Sequence, residues 1–239
     1  MTAEILTIPC RSDNYAFLMR CSKTGTVALF DAPEAAPVLA VLAEKGWKLD
    51  LVFLTHHHPD HIEGLAGLQA KHSPKIIGAK LDRHRLPKLD IEVVESDTVS
   101  VGALSGTVYG VSGHTLHHIA FCFEGAMFTG DSLMALGCGR VFEGTMPMMW
   151  ESLSKLASQP AETMIYSGHE YTAANGDFAI TIEPDNKDLQ ARIADIADKR
   201  GKGIATVPSL LALELATNPF LRAGTAERFG EIRLAKDRF

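Results

Sequence analysis

The segment Asp50 to Gly67, DLVFLTHHHPDHIEGLAG, sets four imidazoles and a carboxylate within six residues, and it constrains the chain more than any other stretch. Leu51 to Leu54 form an apolar run long enough for one buried strand and too short for a helix. Ile62, Leu65, Ala66 and Leu68 then recur at helical spacing, which predicts a helix with Asp60 at its N-cap. The cluster therefore stands at a strand-to-helix junction. In an extended segment His56 and His58 point to one side and His57 to the other. Asp60 and His61, where the chain turns into the helix, face a second point further on. One motif can thus serve two adjacent cations, whereas a plain polar loop would not need this density of donors.

The same arrangement recurs along the chain. The strand-like Thr107 to Val111 leads to Ser112, Gly113 and His114, the run from Ala126 leads to Asp131, and Thr163 to Tyr166 leads to His169. Four apolar runs end in a ligand. If these strands share one core, their ends gather on one rim, where loops carry function on a rigid scaffold. The candidate donors are His56, His58, Asp60, His61, His114, Asp131 and His169. A catalytic zinc takes about three protein ligands plus water, so seven donors suit two ions with one aspartate shared. Nitrogen and oxygen donors without thiolate admit Zn, Fe or Mn. His57, His117 and His118 are surplus, and His118 is read as a support for a ligating imidazole or as a core residue.

The remaining sequence limits the alternatives. With 239 residues, 46% hydrophobic and 22% charged, the chain can bury a large core as one domain or one domain with a small appendage. A net charge of −6 and the lack of a Lys or Arg run give no nucleic-acid footprint. No export signal is visible at the start, and no run approaches the ~18 apolar residues of a membrane span. Cys10, Cys21, Cys122 and Cys138 have no metal or CxxC spacing and read as free thiols, which points to a reducing, cytoplasmic setting. No seam or repeat suggests an oligomer, so a monomer is expected. Ala16 to Met19 and Val27 to Phe30 read as a hairpin, a helix around Val38 to Leu42 stops near Gly46, and Lys75 to Gly78 and Ile91 to Val94 read as strands. Toward the end, Leu189, Ile193 and Ile196 give a helix stopping near Gly201, and Leu210 to Leu215 a second apolar segment with Ser209 as N-cap. Arg233 and Lys236 lie one turn apart on a last helix, a pattern that is usually solvated surface.

THHHPDH, GHTLHH, FTGDSLMALGCGRVFEGT and YSGHEYT together resemble the metallo-β-lactamase fold superfamily and, within it, the glyoxalase II or hydroxyacylglutathione hydrolase family. HxHxDH marks only the fold and a metal site. GHEYT and the later TVPS, NPFLR and RLAKDRF segments are narrower, and with them the resemblance runs almost end to end. It implies an α/β fold, a four-layer αββα metallo-β-lactamase sandwich over residues 1–170, with a small helical, glutathione-binding domain over 171–239. It assigns His56, His58 and His114 to one ion, Asp60, His61 and His169 to the other, and Asp131 to the bridge. Arg140, Tyr171, Arg233 and Lys236 fall on glutathione-contacting positions.

The activity so implied is hydrolysis of the thioester of S-D-lactoylglutathione and related S-acylglutathiones to glutathione and D-lactate. A hydroxide held between two divalent ions, its pKa drawn from 15.7 toward ~7, is the expected nucleophile, with Asp60 and Asp131 as catalytic residues. The chain departs from the family at Arg140, where Lys is usual, and at Phe142, where many members have Tyr and hence one more hydroxyl for glutathione. Cys138 has no base beside it and reads as a small buried residue rather than a nucleophile. The alternatives are a mononuclear-iron glutathione persulfide dioxygenase of the same fold and a metal-free binding module. His169 and the helical C-terminal segment speak against the first, and the full donor set against the second.

Overall fold

The structure, a computed structural model, describes residues 2–239. Its residues fall into two compact units, one running to Gly110 and including His117–Glu124, the other comprising Val111–Leu116 and Gly125–Phe239.

The first unit begins with β1 (Ala3–Cys10) and β2 (Asn14–Cys21), paired antiparallel from Ala3 opposite Cys21 to Cys10 opposite Asn14. β1 has only two buried residues, which is why its sequence gives a weak strand signal. β3 (Val27–Phe30) pairs antiparallel with β2 and closes the expected hairpin. Helix α1 (Ala35–Lys45) ends at Gly46, whose φ of 64° suits a residue without Cβ. It crosses to β4 (Leu51–Phe53), which runs parallel to β3.

Two short helices follow, α2 (Pro59–Ile62) and α3 (Leu65–Gln69), rather than one helix from Ile62. The N-cap is His58 and not Asp60, because Pro59 has the φ of a first helical residue and needs no amide partner there. The interruption falls at Gly64, where a Cβ would lie 2.7 Å from the backbone of Glu34. β5 (Lys75–Ala79) and β6 (Ile91–Val93) extend the sheet in parallel, giving the order β1-β2-β3-β4-β5-β6. β7 (Thr98–Val101), β8 (Leu104–Gly110) and β9 (Ile119–Phe123) form an antiparallel meander.

Phe30 and Phe53, on adjacent parallel strands, stack at 4.9 Å. Phe121 meets Phe53 edge-on at 4.9 Å and Phe123 meets Phe30 at 5.8 Å. All four are buried, and each such ring is worth about 1.5–3 kcal/mol in area removed from water. This aromatic layer fixes β3 and β4, and thereby the loops that leave their C-terminal ends.

The second unit carries β10 (Ala126–Gly130), the hairpin β11 (Leu133–Met134) and β12 (Gly137–Cys138), and helix α4 (Met146–Ala157). Thr145 caps α4, its hydroxyl accepting from Met148 N. β13 (Met164–Ser167) runs parallel to β10. Helices α5 (Thr172–Ile182) and α6 (Lys187–Gly201) follow, the second capped by Asn186. β14 (Ser209–Leu210) pairs antiparallel with β13, so Ser209 is a strand residue and not the N-cap of the next helix. Its hydroxyl goes to Glu214 instead. α7 (Leu211–Thr217) and α8 (Ala226–Lys236), capped by Thr225, complete the unit. Leu136, Ala179, Leu189 and Ile196 form one core cluster among these elements. No helix among the described residues is long and apolar enough to cross a membrane.

Candidate metal centre

The donors of the first unit rest on one carboxylate. Asp31 follows β3 at φ 55°, a left-handed conformation that aspartate tolerates better than most residues. Its Oδ1 accepts from Thr55 N at 2.8 Å and its Oδ2 from the Thr55 hydroxyl at 2.9 Å. The same Oδ2 lies 2.8 Å from His61 Nδ1, so that nitrogen carries the proton. Having donated to Asp31, the Thr55 hydroxyl accepts from His56 Nδ1 at 3.0 Å. One carboxylate thus fixes the tautomer of His61 directly and that of His56 through Thr55. In both rings Nε2 is left with its lone pair.

Around this support the donors crowd together. The His56 ring centroid lies 4.2 Å from that of His61 and 4.7 Å from that of His58. Asp60 Oδ2 stands 3.7 Å from His61 Nε2 and accepts from Asn14 Nδ2 at 3.0 Å. His56 and His61 are wholly buried, while His58 and Asp60 are partly open. His57 turns the other way, as strand alternation requires, and its Nδ1 meets Asp82 Oδ2 at 2.9 Å. His118 stacks on His56 at 4.6 Å with the rings 19° from parallel, which makes it a packing support for that imidazole.

The donors of the second unit converge on a carboxylate oxygen. His114 Nε2 is 3.5 Å and His169 Nε2 3.3 Å from Asp131 Oδ2. His114 Nδ1 donates to the Arg140 carbonyl at 2.8 Å, so the nitrogen facing Asp131 has only a lone pair. Two acceptors so placed repel each other unless a positive charge, a proton or a cation, stands near both. Gly139 lies against the Asp131 carbonyl and the His114 ring, leaving no room for a Cβ. Tyr171 stacks on His169 at 4.6 Å, and Phe142 approaches His114 at 5.3 Å.

Sets of His and Asp side chains able to hold a metal ion include His56, His58, Asp60, His61, His114, Asp131 and His169. All seven donors read from the sequence occur in these sets. The donor chemistry fits a pair of divalent cations, because His56, His61 and His114 all offer Nε2 as a lone pair held by an Nδ1 hydrogen bond, the arrangement of ligating imidazoles. Asp31 and Thr55 were not singled out as site residues in the sequence.

The expected glutathione contacts all lie in the second unit. Arg140 is half exposed, with Nε donating to Asp237 Oδ1 at 3.1 Å and its guanidinium 5.9 Å from the Phe142 ring. Arg233 is only 5% exposed, and it donates to the Cys138 carbonyl and to Asp237 Oδ1, both at 2.9 Å. Lys236 donates to the Ala174 carbonyl at 2.9 Å, and burial, with the Arg233 charge second, lowers its pKa from the ordinary lysine value. Tyr171 is exposed. Burial pushes the Cys138 thiol up to about 11, in keeping with an inert side chain. All four cysteines are free and buried.

Residues 13–169 match the family described as the metallo-beta-lactamase superfamily, and residues 170–239 match the family described as hydroxyacylglutathione hydrolase C-terminus. A hydroxyacylglutathione hydrolase of Cereibacter sphaeroides is 52% identical over 255 aligned positions, covering all of both chains. One from Ruegeria pomeroyi is also 52% identical with full coverage of both. Among solved structures, ETHE1 from Myxococcus xanthus is 27% identical with a TM-score of 0.72, over 98% of this chain and 90% of that one.

Proposed function

The chain belongs to the hydroxyacylglutathione hydrolases of the metallo-β-lactamase superfamily, and on that footing we propose that it hydrolyses S-D-lactoylglutathione and related S-acylglutathiones to glutathione and D-lactate. The observation that carries this reading is the set of seven donors, with imidazole lone pairs held inward by Asp31, Thr55 and the Arg140 carbonyl. His56, His58 and His114 would hold one ion and Asp60, His61 and His169 the other, with Asp131 shared between the two sets. Zinc is the ion proposed, a reading supported by its place above Fe and Mn in the divalent affinity order, and Fe or Mn would suit the same nitrogen and oxygen donors. When bound, the two cations supply an acidified water and positive charge for a thioester carbonyl.

The side chains do the rest. Asp60, held by Asn14, orients the attacking water. Asp131 keeps His114 and His169 on one centre. Arg140 and Lys236 meet the glutathione carboxylates, Tyr171 lies against the tripeptide, and Arg233 adds charge from below while orienting Asp237. Arg140 offers a planar fork of N–H donors where a lysine offers a point charge. Residues 1–170 form the catalytic part and 171–239 the glutathione-binding part of a cytoplasmic monomer, a setting supported by four free thiols.

The test is the rate of thioester loss from S-D-lactoylglutathione by zinc-loaded protein, beside the coenzyme A thioester of the same acid. Fast loss of the glutathione substrate alone is expected. Loss of neither, with two metals bound, would overturn the substrate assignment.

A further inference from the structure

The β11–β12 hairpin lies between Asp131 and Arg140, and side chains from the C-terminal helices hold its backbone almost group by group. Asn218 Nδ2 donates to the Met134 carbonyl at 3.2 Å and to that of Gly137 at 3.0 Å. Asn175 Nδ2 donates to the Ala135 carbonyl at 3.1 Å, and Arg233 to that of Cys138. The Leu136 amide donates to Glu214 Oε2 at 2.8 Å. Leu136 sits at φ 55°, where a branched side chain is disfavoured, and its side chain is fully buried. Such a conformation persists only where its surroundings over-determine it.

Glu214 is the hub of these bonds. It is wholly buried, its Oε1 accepting from the Arg192 guanidinium and the Ser209 hydroxyl, and its Oε2 from Asn218 as well as Leu136. Arg192 in turn donates to Thr217 Oγ1 at 2.7 Å. A buried ion pair is weak evidence of stabilisation, because apolar residues of similar volume often do as well. What apolar residues cannot do is accept from the Leu136 amide. The base of the hairpin reaches the donors at once: Gly139 N bonds the Ser132 carbonyl at 3.1 Å, and the Arg140 carbonyl takes His114 Nδ1.

We propose that Glu214 is a positioning residue that holds the β11–β12 hairpin so that its two ends present Asp131 and the His114-orienting Arg140 carbonyl to the metal centre. The inference rests on the binuclear reading above. It is tested with full-length Glu214→Gln, reconstituted with cobalt(II), by the cobalt absorption spectrum, the rate of metal loss to a chelator and the melting temperature. A glutamine turns an N–H toward either Leu136 or Arg192, so one of the two bonds is lost. The expected result is a folded chain with an altered visible band and metal loss faster by roughly 10–100-fold, the range of outer-shell substitutions. A folded variant with the unsubstituted chain's spectrum and loss rate, and only a lower melting temperature, would overturn the proposal. Asn218→Ala leaves the Arg192–Glu214 pair in place and gives the same two outcomes should Glu214→Gln not fold. Failure of the unsubstituted chain to take up cobalt would overturn the metal reading itself, and the inference with it.

Discussion

In the first unit, His56 and His61 hang from a single carboxylate at the end of β3. In the second, Asp131 and His114 take their places from the backbone on either side of a hairpin that distant helices hold in shape. The first support is short-range and charged, and its partners are 24 and 30 residues apart. The second is spread over many bonds, with partners 40 to 95 residues apart. In the first, one side chain serves two imidazoles; in the second, several side chains share the hold on one hairpin.

The largest expected effect follows from removing a donor common to both histidines of the second unit. Asp131→Ala is expected to lose metal and turnover together, by on the order of 100-fold or more, beyond the range of outer-shell changes. Metal analysis beside the steady-state rate decides it, and full activity would rule out the bridge.

Asp31→Ala comes next. It removes the acceptor for His61 and, through Thr55, for His56, so metal affinity should fall by about 10–100-fold. Asp31→Asn tolerates the left-handed backbone and keeps the acceptor for one partner, so it should fall between. If Asp31→Ala binds metal normally while Glu214→Gln does not, the contrast between the two supports is reversed.

Smaller effects separate metal from substrate. Lys236→Ala should raise KM by roughly tenfold to a hundredfold, from a charge-assisted hydrogen bond of ~1.5–3 kcal/mol, with metal content unchanged. Arg233→Ala should raise KM as well and also quicken metal loss, because its guanidinium holds the Cys138 carbonyl. Equal metal release from the two variants would separate Arg233 from the hairpin.

The smallest effect is one of pH. Lys236 has its pKa lowered, so its charge is lost at a lower pH than that of a lysine in solution, and KM should begin to rise on the alkaline side below pH 10.5. For stability the sign is the opposite of that for a stabilising ion pair. Between the lowered folded value and the unfolded one the unfolded chain binds more protons, so this residue's contribution to stability rises with pH across that window and is lost as pH falls through the folded value. An alkaline limb of KM that is the same in Lys236→Met would refute the assignment.

The candidate donors were legible in the sequence, while their supports were not. The alternation of His56, His57 and His58 set their directions, and the recurrence of apolar runs ending in a donor picked out His114, Asp131 and His169 as candidates. Asp31 escaped because it read only as the end of a strand, and nothing in its neighbourhood names a histidine thirty residues on. The hairpin support was not legible at all. Glu214 sits inside the apolar run Leu210 to Leu215, where a lone carboxylate reads as the exposed face of a short helix, and the left-handed φ of Leu136 has no signature in a leucine. The N-cap at Asp60 was misread because Pro59 starts the helix one residue before it. β1 was missed because a strand with two buried residues shows no alternation.

The measurement that bears most directly on the whole account is turnover of S-D-lactoylglutathione by metal-free protein as zinc is added. The account predicts activity that climbs to a break at two equivalents. A break at one equivalent, with no further uptake, would contradict the shared centre built on Asp131.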